Sequence, residues 1–178
     1  QNTIGGIYLV RDPRDVLLSF SNHLKLSHED VFEKMVSMDH FELDENDPDL
    51  EGGYKRSLIG SWSNHYLSWK SYKGRELLFL KYEDLVKYPY ENFHKVLTYL
   101  KKFISLELNN DKIRRSIEMT SFKNLKKIED NEGFAEQGMS KEFFRKGIIG
   151  DWKSNLKPEL SNKIESKFKK EMIELGYI

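Results

Sequence analysis

"GIYLVRDPRDVLLSFSNHLKL", residues 6–26, contains the transition that decides the fold. Ile7 to Val10 form a short unbroken apolar run, which suits a parallel strand covered on both faces. Asp12 followed by Pro13 supplies an N-cap and a first helical position. Val16, Leu17, Phe20 and Leu24 then recur at helical spacing. The stretch reads as strand, turn, helix. "KGRELLFLKYEDL", residues 73–85, repeats the design: an apolar strand over Leu77 to Leu80 ends in polar Tyr82, Glu83 and Asp84, and a helix over Tyr90 to Leu100 follows. Strands alternating with helices predict an α/β fold with a mainly parallel sheet flanked by helices. In such sheets ligands bind beyond the carboxyl ends of the strands, where Arg11 and Tyr82 stand.

Working outward, a helix from Ser57 to Tyr72 is predicted with Leu58, Trp62, His65 and Trp69 along one face. Residues 111–128, "DKIRRSIEMTSFKNLKKI", are amphipathic until Thr120. The last helix begins near Pro158 and repeats Leu160, Ile164, Phe168 and Met172 at i+4 steps. Two polar segments, about 36–56 and 129–142, show no sustained period and are expected to be mobile loops that shape a ligand pocket. No repeat, low-complexity tract or linker interrupts the 178 residues, so they read as one domain. The chain opens with Gln1 and enters a strand within a few residues. Domains seldom begin so abruptly, and the expectation is the C-terminal part of a longer protein.

Composition narrows the function classes. Lys plus Arg (29) equals Asp plus Glu (29), so no net field draws the chain to nucleic acid or a membrane surface. An anion site must therefore be a local concentration of cations. The chain has no cysteine, which excludes disulfides and thiolate metal ligands and fits a reducing, cytoplasmic setting. No apolar run approaches the roughly 18 to 20 residues of a membrane span. The five histidines (His23, His28, His40, His65 and His94) have no metal-ligand spacing, so no metal is expected. His65 shares a helix face with two tryptophans and reads as a packed residue rather than a base.

Two clusters carry the chemistry. Arg11 precedes a helix whose N-terminal amides favour an anion, and the Ser19 hydroxyl lies eight residues on. A surface ion pair of Arg11 with Asp12 or Asp15 is the competing reading. In "FFRKGIIGDWK", residues 143–153, Arg145 offers a planar fork for phosphate and Lys146 a point charge. Gly147 lets its N–H approach without a side chain, Gly150 permits a turn, and Trp152 can anchor the loop by packing. A solvated basic turn accounts for the same residues taken alone. Charged hydrogen bonds contribute about 1.5–3 kcal/mol each. Four or five of them could hold a phosphate-bearing nucleotide at roughly micromolar affinity or better. "TSFK", from Thr120 through Ser121 and Phe122 to Lys123, could hydrogen-bond and stack a purine, or simply end a helix with Phe122 in the core. No GxxxxGK[ST], no GxGxxG and no Ser/His/Asp order stands out.

"YLVRDPRDVLLSF", "GSWSNHYLSW", "LFLKYEDL", "TSFKNLK" and "FFRKGIIGDWK", in this order, resemble the cytosolic-type sulfotransferase family from about Ile7 to about Lys153. The resemblance implies a fold related to P-loop kinases. It implies sulfuryl transfer from 3′-phosphoadenosine 5′-phosphosulfate (PAPS), as co-substrate, to a hydroxyl or amine of a small-molecule acceptor. By resemblance Arg11 and Ser19 bind the donor's 3′-phosphate together with Arg145, Lys146 and the Gly147 amide. Tyr82 and Thr120, Ser121 and Phe122 contact the adenosine.

The family's lysine-bearing phosphosulfate loop and catalytic histidine would lie upstream of Gln1, so no residue here is assigned as the base. The dimer signature KxxxTVxxxE is broken: Lys157 and Pro158 stand where threonine and valine would, and Asn162 replaces the glutamate. No oligomeric state is carried over. Two other readings stay open, a PAPS-binding relative without turnover and a nucleotide kinase of the same superfamily.

Overall fold

The computed structural model describes residues 3–44, 55–134 and 142–178. Its contacts divide the chain into two units. One comprises Gln1–Arg11, His23–Lys25 and Tyr72–Gly150; the other comprises Asp12–Asn22, Leu26–Ser71 and Asp151–Ile178.

The first unit is built on a parallel pair of strands, β1 (Gly6–Val10) and, as the fourth strand in chain order, β4 (Leu77–Lys81), in the register Gly6↔Leu77 through Val10↔Lys81. Tyr8, Val10 and Leu80 are buried. Ile7 and Leu9 are 42% and 50% exposed, so among the described residues β1 is covered on one face rather than on both as its apolar run predicts. Short helix α4 (Tyr82–Lys87) follows β4 directly, and α5 (Pro89–Leu100) begins with proline at its first turn. Both pack against β4. Tyr99, buried on α5, ties the starts of the strands together: its hydroxyl accepts the Gly6 N–H at 2.9 Å and donates to the Glu76 carbonyl at 2.7 Å. Helices α6 (Asn110–Met119) and α7 (Phe122–Glu132) complete the unit. The Asn109 side chain caps α6 by accepting from the N–H groups of Asp111 and Lys112.

The second unit holds most of α1 (Pro13–Leu24), then α2 (His28–Val36), an antiparallel pair, α3 (Trp62–Ser71) and three C-terminal helices. These last are α8 (Trp152–Asn155), α9 (Pro158–Lys167) and α10 (Lys169–Glu174). Asp12 caps α1 by accepting the Arg14 N–H at 2.9 Å, with Pro13 as the first helical residue, as the sequence predicts. The core is Leu17, Leu18, Val31, Met35, Leu156, Leu160, Ile164, Phe168 and Met172. The predicted i+4 row of the last helix is therefore buried in full, although the helix itself breaks at Phe168.

Further expectations change. Residues 28–36, which carry no predicted element, form α2, capped by Ser27 accepting from the Asp30 N–H. The helix expected from Ser57 begins only at Trp62. Its buried residue is Tyr66, while Trp69 is 39% exposed and Leu58 lies in a strand. Another change concerns the segment 36–56, read as a loop: its described flanks pair as β2 (Phe41–Asp44) and β3 (Lys55–Leu58). The pairing is antiparallel, in the register Phe41↔Leu58 through Asp44↔Lys55. Residues 45–54 of this segment lie outside the described residues, as do 135–141 of the second expected loop. The start of that second loop is helical, since α7 runs to Glu132.

Candidate functional site

Val10 pairs with Lys81 at the last rung of the parallel ladder, so the next residue on each strand, Arg11 and Tyr82, leaves the sheet side by side. The Arg11 guanidinium lies over the Tyr82 ring, 4.3 Å from its centroid. Its Nη2 donates to the Ile148 carbonyl at 3.3 Å, across 137 residues of chain. Its Nε is buried with no hydrogen-bond partner among the described residues. A buried guanidinium N–H without an acceptor is costly, and a bound anion is the natural acceptor for it. The first unit thus brings the end of β1 to the segment that follows Arg145 and Lys146.

That segment rests on the start of α7. Gly147 has φ of +62°, a left-handed conformation that favours glycine. A Cβ there would stand 2.4 Å from Phe122 Cδ2, so the missing side chain is what lets the backbone lie on the ring. Phe122 is 39% exposed and faces Phe144 edge-on at 6.3 Å. It belongs to this surface and not to the core. Ser121 is the N-cap residue of α7 without a side-chain cap bond. Thr120 ends α6, and its hydroxyl donates to the Ser116 carbonyl at 2.8 Å, which leaves its oxygen to accept.

Arg11, Tyr82, Thr120, Ser121, Phe122, Arg145, Lys146 and Gly147 therefore all belong to one unit. Ser19, exposed on α1, belongs to the other and is not among the residues brought together there. The amides at the start of α1, expected to favour an anion, include the Arg14 N–H, which Asp12 already occupies.

Each unit also holds buried polar residues that sequence reading did not single out. Arg14, on α1, is buried and binds both Asp12 oxygens, at 2.9 and 2.7 Å, as well as Glu165 at 2.5 Å and the Tyr177 carbonyl at 3.0 Å. Its guanidinium stacks 3.7 Å from the centroid of a Trp152 ring. The Trp152 N–H donates to the buried Asp15 carboxylate at 3.0 Å. In the first unit the Glu129 carboxylate accepts from the N–H groups of Phe143 and Phe144. Arg14 has one local partner, Asp12, but its others lie more than a hundred residues away, and the amides that Glu129 accepts from lie across a polar segment. His65 is held below its ordinary pKa by burial, which favours the neutral ring. Among the described residues no group of three His, Asp or Glu side chains is placed to hold a metal ion, and no helix is long and apolar enough to cross a membrane.

The family model described as "Sulfotransferase domain" matches residues 4–176. Cytosolic sulfotransferase 8 of Arabidopsis thaliana is 32% identical over 169 residues, covering 89% of this chain and 47% of that protein. Sulfotransferase 1B1 of the dog, Canis lupus familiaris, is 29% identical over 190 residues, 97% of this chain and 56% of that protein. The chain spans about half the length of the curated relatives it matches. Among solved structures, mouse sulfotransferase SULT7A1 complexed with PAP (adenosine 3′,5′-bisphosphate) superposes with a TM-score of 0.68 at 22% identity, covering 95% of this chain and 58% of that one. Retinol dehydratase in complex with androsterone and the inactive cofactor PAP gives 0.64 at 23% identity, covering 93% and 46%. These likenesses establish a shared fold.

Proposed function

The chain belongs to the sulfotransferase domain family, and from that premise we propose that it binds PAPS within an enzyme that transfers the sulfuryl group to a hydroxyl or amine of a small molecule. The family match crosses both units, which supports reading them as parts of one sulfotransferase domain. The observation that carries the reading is Arg11: a strand-end guanidinium with a buried, unpartnered Nε, hydrogen-bonded to the segment that bears Arg145, Lys146 and Gly147. Arg11, Arg145, Lys146 and the Gly147 N–H, all of the first unit, grip the 3′-phosphate. Tyr82 and residues 120–122 contact the adenosine. The complexes of the two structural neighbours with PAP support that ligand, and androsterone in one of them supports a small-molecule acceptor. Relatives named cytosolic support a cytoplasmic location.

In the transfer, an acceptor oxygen or nitrogen bonds to sulfur as the bond from sulfur to the bridging phosphate oxygen breaks. The acceptor's proton passes to a base not assigned to any residue of this chain, and adenosine 3′,5′-bisphosphate leaves. The share of these residues is to fix the donor's position and balance its charge, which are large contributions in such transfers. Calorimetry tests the site. Arg145→Ala is expected to weaken adenosine 3′,5′-bisphosphate binding by about 2–4 kcal/mol, because a desolvated phosphate loses a charged partner. An affinity within about twofold of wild type removes Arg145 from the site.

A further inference from the structure

Residues 143–147 are moored to one helix at two places. At the start of α7, Phe122 lies against Gly147. Seven residues on, Glu129 is only 6% exposed, and its carboxylate accepts from the backbone N–H groups of Phe143 and Phe144, the latter at 3.2 Å. Lys126 reinforces the carboxylate from one turn earlier at 3.1 Å, and also reaches Asp130 and Glu142 at 3.3 and 3.6 Å. Rings close over the junction, with Phe134 at 4.6 Å from Phe143 and 5.1 Å from Phe144.

The segment between the moorings is short: three residue steps from Phe144 to Gly147 span at most roughly 10 Å, and the chain turns at their start, where the Arg145 N–H donates to the Phe143 carbonyl at 3.0 Å. Arg145 and Lys146 are the two residues slung between the ties. The backbone that carries this cationic pair is restrained before any ligand arrives, so less ordering entropy opposes binding.

We propose that Glu129 is a positioning residue for the phosphate grip, its carboxylate holding the Phe143 and Phe144 amides so that Arg145, Lys146 and the Gly147 N–H are preset for the 3′-phosphate. This rests on the site reading given above. Glu129 touches no ligand and acts through the backbone it holds. A carboxylate suits the task because it is charged and has two accepting oxygens, whereas a carboxamide accepts only through one neutral oxygen and a carbon side chain not at all.

The test compares wild type, Glu129→Gln and Glu129→Ala in calorimetric titrations with adenosine 3′,5′-bisphosphate and with adenosine 5′-monophosphate, which lacks the 3′-phosphate. The preference for the bisphosphate is expected to fall by about tenfold in Glu129→Ala and by less in Glu129→Gln. Binding of the monophosphate is expected to change little, and amide exchange of Phe143 and Phe144 to speed up in the same order. A general loss of structure would weaken both nucleotides alike, which overturns the proposal. So does a full bisphosphate preference retained in the variants. If Glu129→Ala does not fold, Glu129→Gln decides alone. A wild type that binds the two nucleotides equally overturns the site reading instead, and the proposal with it.

Discussion

At the scale of the residue, the proposed phosphate grip draws on groups whose neighbours restrain them before a ligand is present. Arg11 lies over Tyr82 and reaches the Ile148 carbonyl, and Glu129 fixes the backbone ahead of Arg145. The latter contact titrates. Burial acts to raise the Glu129 pKa, but the Phe143 N–H, the Lys126 ammonium and the Phe144 N–H outweigh it and hold the carboxyl below its ordinary value of 4.5. A depressed carboxylate pKa contributes stability above the unfolded-state value, and that contribution is lost as pH falls through the folded-state value. Amide protection of Phe143 and Phe144, followed by NMR hydrogen exchange, is therefore expected to hold from neutral pH down to the ordinary carboxylate value and to fall below it. Protection that is flat through the acid range would show that the ionised form is not what holds the segment. Arg11 and Arg145 stand out in the sequence because cations beside a strand end and a glycine form a local pattern. Glu129 and Arg14 do not, because the Phe143 and Phe144 amides, Glu165 and the Tyr177 carbonyl reach them only when distant segments fold together.

At the scale of the element, β1 and β4 place Arg11 and Tyr82 next to each other through register alone. That register depends on Tyr99, which bridges the strand starts from α5. Tyr99→Phe removes both bonds and leaves a part-buried N–H and carbonyl behind. It is expected to cost about 1–3 kcal/mol in a denaturant melt, and an unchanged midpoint would show that the strands pair without it. Both strands, α1, α5 and the core row of the C-terminal helices could be read from periodicity and caps. Helix α2 escaped notice although Ser27 and Asp30 stand at capping spacing, because its buried face has only Val31 and Met35. The β2–β3 ladder escaped for another reason: each arm is only four residues long, and the alternation of Phe41 and Leu43 with two acids is too brief to announce a strand.

At the scale of the whole molecule, each unit contributes a different kind of order. The first carries nearly all the proposed ligand contacts on its strand ends and on α7. The second has the larger apolar core and the buried Arg14 cluster, which fixes Asp12, the residue after Arg11, and stacks on Trp152, two residues after Gly150. The family to which the chain belongs gives both units one context. The proposed site requires cations near the start of the chain and near its finish to act on one phosphate. A double-mutant cycle tests this most directly, with Arg11→Ala, Arg145→Ala and the double variant titrated calorimetrically with adenosine 3′,5′-bisphosphate. If both grip the same group, their effects fall short of additivity or exceed it by about 1 kcal/mol or more, and losses that add within roughly 0.3 kcal/mol would place the two arginines on separate tasks.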